Sequence, residues 1–187
     1  MNELIEIEYK ILLDKKTFHQ ILKAYEEKIQ EDYVQTNHYL IHPLLEEKKY
    51  MLRIREKKNT FEMTLKRPYQ GHRLETNIDL SVQEKDDFLN HQPISNEIID
   101  ILIEENINPL EVENQFSLTT HRYDIKLPEG TLSLDANTYL GKEDYELEFE
   151  VHDEEEGYQA FLRIIEPFSL EYNGNCKTKI QRVLENL

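Results

Sequence analysis

Hydrophobic and polar residues alternate along several short segments of this sequence. In the first segment, Ile5, Ile7, Tyr9 and Ile11 alternate with Glu6, Glu8 and Lys10. Because successive side chains of a β-strand point to opposite faces of a sheet, this pattern predicts a strand with one apolar and one charged face. Two carboxylates and a lysine on one face could hold a divalent cation together with an anion that contacts it. A solvated charged face is the alternative interpretation.

The same alternation recurs along the chain and predicts roughly eight strands in all. The further segments are 33–41, 49–56, 60–67, 73–80, 112–127, 131–139 and 144–152. Apolar residues spaced by three and four predict helices at 15–29, 82–91, 94–105, 154–166 and 177–187. Because no long linker rich in Pro, Gly or Ser interrupts these elements, we expect residues 1–187 to form a single domain.

Composition excludes several classes of partner. The 187 residues include 38 acidic and 22 basic side chains, for a formal net charge of −16, whereas binding of a nucleic acid backbone requires a basic surface. Cys176 is the single cysteine, so an intramolecular disulfide is impossible, as is usual in a reducing compartment. The sequence contains neither an apolar run of ~18 residues nor a segment resembling a signal peptide. We therefore expect a cytoplasmic protein that binds neither nucleic acid nor membranes.

The charged faces of the predicted strands are not uniform. Arginines concentrate in the middle strands, and carboxylates concentrate near the two ends of the chain. Arginine is the preferred side chain for bidentate phosphate contacts. In a closed antiparallel barrel both sets would line a lumen, where buried charges are costly unless they pair or bind a ligand and a metal. The residues that carry this hypothesis are Arg53, Arg55, Arg73, Arg122, Glu6, Glu8, Glu146, Glu148 and Glu150.

An ordered set of short motifs then resembles the signature of the CYTH superfamily, the triphosphate tunnel metalloenzymes. The set comprises Glu6-x-Glu8-x-Lys10, Arg53-Ile54-Arg55, Thr64-Leu65-Lys66, Arg73-Leu74-Glu75, Arg122, Asp135, Glu146-Leu147-Glu148 and Lys179. It covers nearly the whole chain and is most similar to the small CYTH proteins of Firmicutes. The resemblance implies an α+β fold, with a closed antiparallel β-barrel, or tunnel, of about eight strands and helices packed outside it. It also implies metal-dependent hydrolysis of inorganic triphosphate, or of a related small triphosphate, inside the charged lumen.

The resemblance also assigns roles to the matching residues. Triphosphate oxygens would be bound by Lys10, Arg53, Arg55, Lys66, Arg73, Arg122 and Lys179. The ligands of Mg²⁺ or Mn²⁺ would be Glu6, Glu8, Glu146 and Glu148, supported by Glu75 and Asp135. Glu6, Glu8, Lys10 and Lys66 would be the catalytic residues. Fixed charges and a metal ion are what hydrolysis of a highly charged phosphate chain requires.

Several alternatives remain open from the sequence. The chain could be an adenylate cyclase of the class IV type, or a non-catalytic module that binds nucleotides or polyphosphate. Nucleoside and thiamine triphosphates are further candidate substrates, although the absence of Trp disfavours stacking on a thiamine ring. Lys177 could replace Lys179 as a phosphate ligand, and Glu150 could join the acidic set. Both a monomer and a homodimer are compatible with the sequence.

Overall fold

The computed structural model describes residues 3–186, which contain nine β-strands and six α-helices. The strands are β1 (Glu3–Glu6), β2 (Glu8–Leu13), β3 (Glu31–Ile41), β4 (Met51–Lys57), β5 (Thr60–Tyr69), β6 (His72–Leu80), β7 (Glu113–Leu127), β8 (Gly130–Tyr139) and β9 (Lys142–Val151). The helices are α1 (Lys15–Tyr25), α2 (Pro43–Glu47), α3 (Val82–Leu89), α4 (Glu97–Glu104), α5 (Glu154–Ile165) and α6 (Lys179–Leu184). Short 3₁₀ turns lie at Glu26–Lys28, Pro109–Glu111 and Glu166–Phe168.

Two features of the fold differ from the sequence predictions. The segment around Ile7 is divided between two strands, because Glu6 pairs with Arg73 of β6 whereas Glu8 pairs with Glu150 of β9. The prediction of one continuous strand there was wrong, and the described residues therefore form nine strands, close to the predicted number of about eight. The short helix α2, which begins at Pro43 just after the predicted strand 33–41, was not predicted. Proline is also favoured in the first turn of a helix, where its missing N–H needs no partner.

The antiparallel sheet belongs to two compact units of the chain. The first unit contains the described residues up to Glu6 and Gln35–Leu118, and its strand order is β1-β6-β5-β4-β3. The second unit contains Ile7–Val34 and the residues from Thr119 onward, and its order is β7-β8-β9-β2. The two long strands β3 and β7 each contribute to both units.

Tight hairpins set the register of these strands. Lys57 pairs with Thr60, and the two residues between them, Lys58 and Asn59, have φ angles of 49° and 63°. Positive φ at both central residues is typical of the type I′ turn, whose twist matches that of the flanking strands. Gln70-Gly71 and Leu140-Gly141 also have positive φ and join β5 to β6 and β8 to β9. These turns determine which face each charged side chain occupies, since a slip of one residue would invert the pattern.

Each unit buries the apolar faces of its own strands. In the first unit Leu52, Ile54, Met63 and Leu65 are fully buried, as are Ile98 and Leu102 of α4. The alternation predicted for β4 and β5 is therefore confirmed. Burial of each such side chain stabilises the fold by about 1.5–3 kcal/mol.

The core of the second unit contains Leu147 and Phe149 of β9 and Phe161 of α5, all fully buried. Helix α5 approaches this core closely at Gly157, where an added Cβ would lie 2.5 Å from Cγ2 of Val151. Because these cores occupy the apolar faces, the charged side chains project from the opposite face of the strands. Among the residues the structure describes, no helix combines the length and apolarity needed to cross a bilayer.

Candidate functional site

The polar faces of β4, β5 and β6 form a cluster of mixed charge in the first unit. Lys66 contacts the carboxylate of Glu6, and its Nζ lies 2.8 Å from Oε2 of Glu75. Asn77 donates a hydrogen bond of 2.8 Å to Oε1 of Glu75, so both carboxylate oxygens of this glutamate are bonded. The cluster therefore holds Lys66 between two acids, on a face that the sequence predicted to be charged.

The arginines predicted to bind phosphate have different environments in this unit. Arg53 is only 8% exposed, and its Nε has no hydrogen-bond partner among the residues that the structure describes. Arg55 donates from Nε to Oδ1 of Asn37 at 3.0 Å. Arg73 donates from Nη1 to the carbonyl oxygen of Lys49 at 2.8 Å. Arg53 is therefore the buried arginine here whose hydrogen-bonding capacity is not fully used.

The charges of this cluster also determine the protonation of Glu75. Burial favours the neutral acid, but the nearby charges of Lys66 and Arg53 lower the pKa of Glu75 to about 2. Glu75 is thus ionised at neutral pH, and it can hold the Lys66 ammonium in a fixed position.

A second cluster lies on the polar faces of β7, β8 and β9 and is joined by helix α6. Nζ of Lys179 lies 2.8 Å from Oδ2 of Asp135 and 2.8 Å from Oε1 of Glu146, and it also contacts Glu148. Asp135 and Glu146 are completely buried, and the register places them directly opposite each other on β8 and β9. The Lys179 ammonium is only partly exposed, and the three surrounding carboxylates offset the cost of withdrawing its charge from water.

Two arginines complete the second cluster. Arg122 binds Asp135 in bidentate fashion, with Nε–Oδ1 and Nη2–Oδ2 distances of 2.7 and 2.6 Å, and also contacts Glu148. Arg182 donates from Nε to Oδ2 of Asp144 at 2.9 Å, and its Nη2 lies 2.5 Å from Oε2 of Glu146. Sequence analysis did not assign Arg182 or Asp144 to the site. The available signal was the i, i+3 spacing of Arg182 from Lys179, which places both side chains on one face of a helix.

The acids of the second cluster differ in the direction in which their pKa values are shifted. Burial favours the neutral form of each carboxyl group, and it raises the pKa of Glu146 to about 7. For Glu148 and Asp135 the neighbouring cations outweigh burial: Lys179 and Arg122 lower the pKa of Glu148 well below its usual range and also lower that of Asp135. The same contacts raise the pKa of Lys179 well above that of an ordinary lysine, although burial opposes its charge.

Glu8 and Lys10 lie at the start of β2, also in the second unit. Nζ of Lys10 lies 2.5 Å from Oε1 of Glu8. The side chain of Asn175 bonds to the backbone of both residues, accepting from the Lys10 amide at 2.7 Å and donating to the Glu8 carbonyl at 2.9 Å. Because β2 is the last strand in the sheet order of the described residues, Asn175 takes the place of a neighbouring strand at these two positions.

Other residues considered in the sequence lie outside these clusters. Lys177 is exposed and pairs with Glu185 at 2.5 Å, whereas the side chain of Lys179 in the same tail is 11% exposed and contacts the acids. Glu150 is exposed on β9. Cys176 is partly buried, and burial raises the pKa of its thiol to about 11, which disfavours a reactive thiolate.

The acids of the second cluster also have the chemistry of a metal site. Asp135, Glu146 and Glu148 each offer an oxygen, and these oxygens all lie within 4.8 Å of one another. Hard divalent cations prefer carboxylate oxygens, so this donor set fits Mg²⁺ or Mn²⁺. Of the other predicted metal ligands, Glu6 and Glu75 share Lys66 in the first unit, and Glu8 pairs with Lys10 in the second.

Comparison with known proteins identifies the family. The family model of the CYTH domain matches residues 4–184. The chain belongs to the CYTH family. The resemblance noted in the sequence is therefore confirmed.

Two individual CYTH-type relatives resemble most of the chain. The Bacillus subtilis protein named "Putative triphosphatase YjbK" is 35% identical over 187 residues, covering 99% of this chain and 97% of that protein. A crystal structure from Bacillus halodurans, described as that of a putative adenylate cyclase, is 38% identical, with a TM-score of 0.89 and coverage of 97% and 98% of the two chains. This structural agreement confirms the predicted α+β class of the CYTH fold.

A more distant structure shares the fold alone. It is a Hippeastrum protein, described as a putative adenylyl cyclase with a dominant triphosphatase activity, at 18% identity and a TM-score of 0.78. It covers 97% of this chain and 96% of its own. The CYTH fold thus extends well beyond bacilli.

Proposed function

We propose that this CYTH protein is a metal-dependent triphosphatase that hydrolyses inorganic triphosphate or a related small triphosphate. The observation that carries the proposal is the group of three acids around Lys179, the buried Asp135 and Glu146 and the partly buried Glu148, whose carboxylate oxygens lie within 4.8 Å of one another. Membership of the CYTH family and the 35% identity to the protein named "Putative triphosphatase YjbK" support the same reaction. We also propose that the chain forms a single CYTH domain.

The charged residues have separate tasks in this proposal. Asp135, Glu146 and Glu148 would hold Mg²⁺ or Mn²⁺, which when bound neutralises phosphate charge and polarises a phosphoryl oxygen. Arg53, with its buried Nε free of any partner, donates to phosphate oxygens. Glu75 and Glu6 hold Lys66 in a fixed position for the same purpose. Side chains held in this way on strands need little rearrangement during the reaction.

The remaining predicted residues keep their roles as proposals. Arg122 and Lys179 neutralise the carboxylates of the second cluster and would bind phosphate as these acids take up a metal ion. Lys10 is held by Glu8, as Lys66 is held by Glu6 and Glu75. Glu6, Glu8, Lys10 and Lys66 remain the proposed catalytic residues. Arg55 and Arg73 would be further phosphate contacts in the first unit.

Phosphate release from tripolyphosphate tests the proposal directly. The purified protein is assayed with Mg²⁺, with Mn²⁺ and with a chelator, alongside Glu148→Gln and the control Glu150→Gln. Both substitutions remove one carboxylate charge from β9, but Glu150 is exposed and lies outside the cluster. We expect metal-dependent release, a loss of at least about 100-fold in Glu148→Gln, and little change in Glu150→Gln. Absence of metal-dependent release by the wild-type protein would refute the proposal.

An adenylate cyclase activity is the second candidate. It is favoured by the 38% identity to the Bacillus halodurans protein described as "a putative adenylate cyclase". Incubation with ATP followed by chromatography distinguishes the two reactions, because a cyclase produces cyclic AMP and pyrophosphate whereas a triphosphatase releases orthophosphate. Calorimetry separates both from a binding module, which would bind triphosphate tightly without any turnover.

A further inference from the structure

The side-chain amide of Gln35, on β3, is buried and forms no hydrogen bonds with the described residues. The residue is 1% exposed, and neither its Nε2 nor its Oε1 has a hydrogen-bond partner within the described part of the chain. Buried polar groups are nearly always paired, because an unpaired donor or acceptor retains the full penalty of leaving water. A buried, unpaired amide therefore lowers the stability of the unliganded protein. Hydrogen bonds to a bound ligand would remove this cost.

The register of β3 and β4 shows which face Gln35 occupies. Gln35 lies opposite Lys57, Asn37 opposite Arg55, and Tyr39 opposite Arg53. Directly opposed residues project from the same face of a sheet. The hydrogen bond from Arg55 to Asn37 has this geometry, so Gln35 lies on the polar face that carries the arginines and away from the apolar core.

Arg53 provides a second observation on the same face. Its Nε is also buried and has no partner among the described residues, although Thr64 and Tyr39 lie directly opposite Arg53 on the neighbouring strands. Two unsatisfied donors on one face, beside the cation of Arg55, favour an occupant with several acceptor oxygens and negative charge. A phosphate group has both properties, and its partly protonated form at neutral pH also offers an O–H for Oε1 of the glutamine.

We propose that Gln35 is a substrate-binding residue whose side-chain amide donates a hydrogen bond to a phosphate oxygen of the triphosphate. This inference rests on the proposed function and deepens it, because it adds a neutral donor to a set of contacts that is otherwise cationic. A neutral amide can satisfy a phosphate oxygen without adding repulsion between neighbouring cations. Gln35, Arg55 and Arg53 follow one another along the same polar face, and Gln35 thereby favours a phosphate group at its own end of this row.

Calorimetric titration with tripolyphosphate tests this role in Gln35→Leu, in Gln35→Glu and in the control Thr76→Val. Thr76 is also fully buried with an unpaired hydroxyl, but it lies opposite Leu65 and therefore on the apolar face of the same unit. We expect the Kd of Gln35→Leu to rise about tenfold or more, as for loss of a hydrogen bond to a charged group. Gln35→Glu should weaken binding further, and Thr76→Val should leave the Kd unchanged.

Melting temperatures without ligand distinguish a binding role from a structural one. Removal of an unsatisfied amide should leave the melting temperature of Gln35→Leu equal to or above that of the wild type, as for Thr76→Val. A lower melting temperature with an unchanged Kd would overturn the inference in favour of a structural role. An affinity loss confined to ATP would likewise overturn it, because Gln35 would then contact the nucleoside. If the wild-type protein binds no tripolyphosphate, the proposed function fails; if it binds and Gln35→Leu binds equally well, only this inference fails.

Discussion

Individual side chains in this protein differ sharply in whether their charge is already paired. Lys66, Lys179 and Arg122 are held by carboxylates, whereas Arg53 keeps a buried donor without a partner. Paired cations contribute a fixed local field, and an unpaired donor contributes new hydrogen bonds when an anion binds. The contribution of a residue to binding should therefore follow from its pairing as well as from its charge.

Arg53→Ala should weaken tripolyphosphate binding by about 1.5–3 kcal/mol, the range for hydrogen bonds to charged groups. The stability of the unliganded protein should change little, because Arg53 leaves its Nε unbonded. Arg163→Ala is the matched control, since Arg163 is 65% exposed on α5 and lies 3.4 Å from Glu129. Titration of both variants checks the prediction, and an unchanged affinity in Arg53→Ala would contradict the assignment of this face.

His38 should make stability depend on pH. Burial lowers the pKa of His38 below its usual value. The positive charge of Lys85 lowers this pKa further, whereas the negative charge of Glu56 raises it. Nδ1 of His38 lies 2.8 Å from Oγ of Ser117. Because the folded protein disfavours the protonated ring, the unfolded chain takes up the proton first as pH falls below about 6.5. The free energy of unfolding should therefore decrease from neutral pH towards pH 5, and the decrease should be smaller in His38→Gln.

Urea titrations at several pH values measure this effect. His152→Gln, which replaces an exposed histidine after β9, is the control and should keep the slope of the wild type. An identical pH dependence in His38→Gln and in the wild type would show that His38 does not contribute.

Secondary-structure elements carry the site residues and determine how well they are positioned. Helix α6 has only six residues and carries both Lys179 and Arg182 into the second cluster. Its start is defined by Thr178, whose hydroxyl accepts from the Gln181 amide while the Gln181 side chain accepts from the Thr178 amide. Such a capping box favours a helix that would otherwise be too short to form independently.

Thr178→Ala should therefore reduce triphosphatase activity through loss of the helix cap. Removal of a cap of this type destabilises a helix by about 1 kcal/mol, and Thr178→Ser should restore both stability and activity. Ser81→Ala removes the corresponding capping box of α3, which carries no proposed site residue. We expect similar losses of stability in the two alanine variants but loss of activity in Thr178→Ala alone, measured by thermal melts and phosphate release.

The outer edge of β2 leads to a separate prediction. Asn175 bonds to the backbone of Glu8 and Lys10, so Asn175→Ala should release the strand segment that presents both side chains. Each lost hydrogen bond costs about 0.5–1.5 kcal/mol. Asn173→Ala, in the same exposed segment, is the matched control. A higher KM for tripolyphosphate in Asn175→Ala alone is the expected result, and equal kinetics in both variants would refute a positioning role.

The protein as a whole carries a charge of −16 and is proposed to bind a highly charged anion. The field of distant exposed charges is screened beyond about 10 Å in ordinary buffers, so net charge alone does not prevent binding. Attraction must come from cations close to the phosphate, and the buried Arg53 of the first unit and Lys10 of the second are cations on the polar faces of strands.

Ligand binding should accordingly stabilise the folded protein. Tripolyphosphate with Mg²⁺ at 100 times its Kd should add about 2.7 kcal/mol to the free energy of unfolding. For a chain of this size that corresponds to a rise of roughly 5–10 °C in the melting temperature. Sulfate at equal ionic strength is the control for general anion effects. An equal shift with sulfate would contradict specific binding of triphosphate.

Local sequence patterns were sufficient to predict most strands, their two faces and the family. Alternation with a period of two is a property of each strand alone, so the buried face of β4 and the charged face of β9 could be read from neighbouring residues. The ordered motifs then identified the CYTH family. Helix ends were predicted less accurately, because caps and short turns compete locally with continuation of the helix. Helix α1 ends at Tyr25 and not at residue 29, and α6 begins at Lys179 and not at residue 177.

The pairing of charges was decided by tertiary structure. Glu6 and Glu8 are two residues apart but belong to different strand pairs, because the strand of Glu6 pairs with β6 and the strand of Glu8 pairs with β9. Lys179 rather than Lys177 joins the acids because the Thr178 cap sets the phase of α6, and Arg182 joins for the same reason. Gln35 looks like an ordinary polar strand residue until its burial is known. These features depend on contacts between distant parts of the chain, which no local pattern encodes.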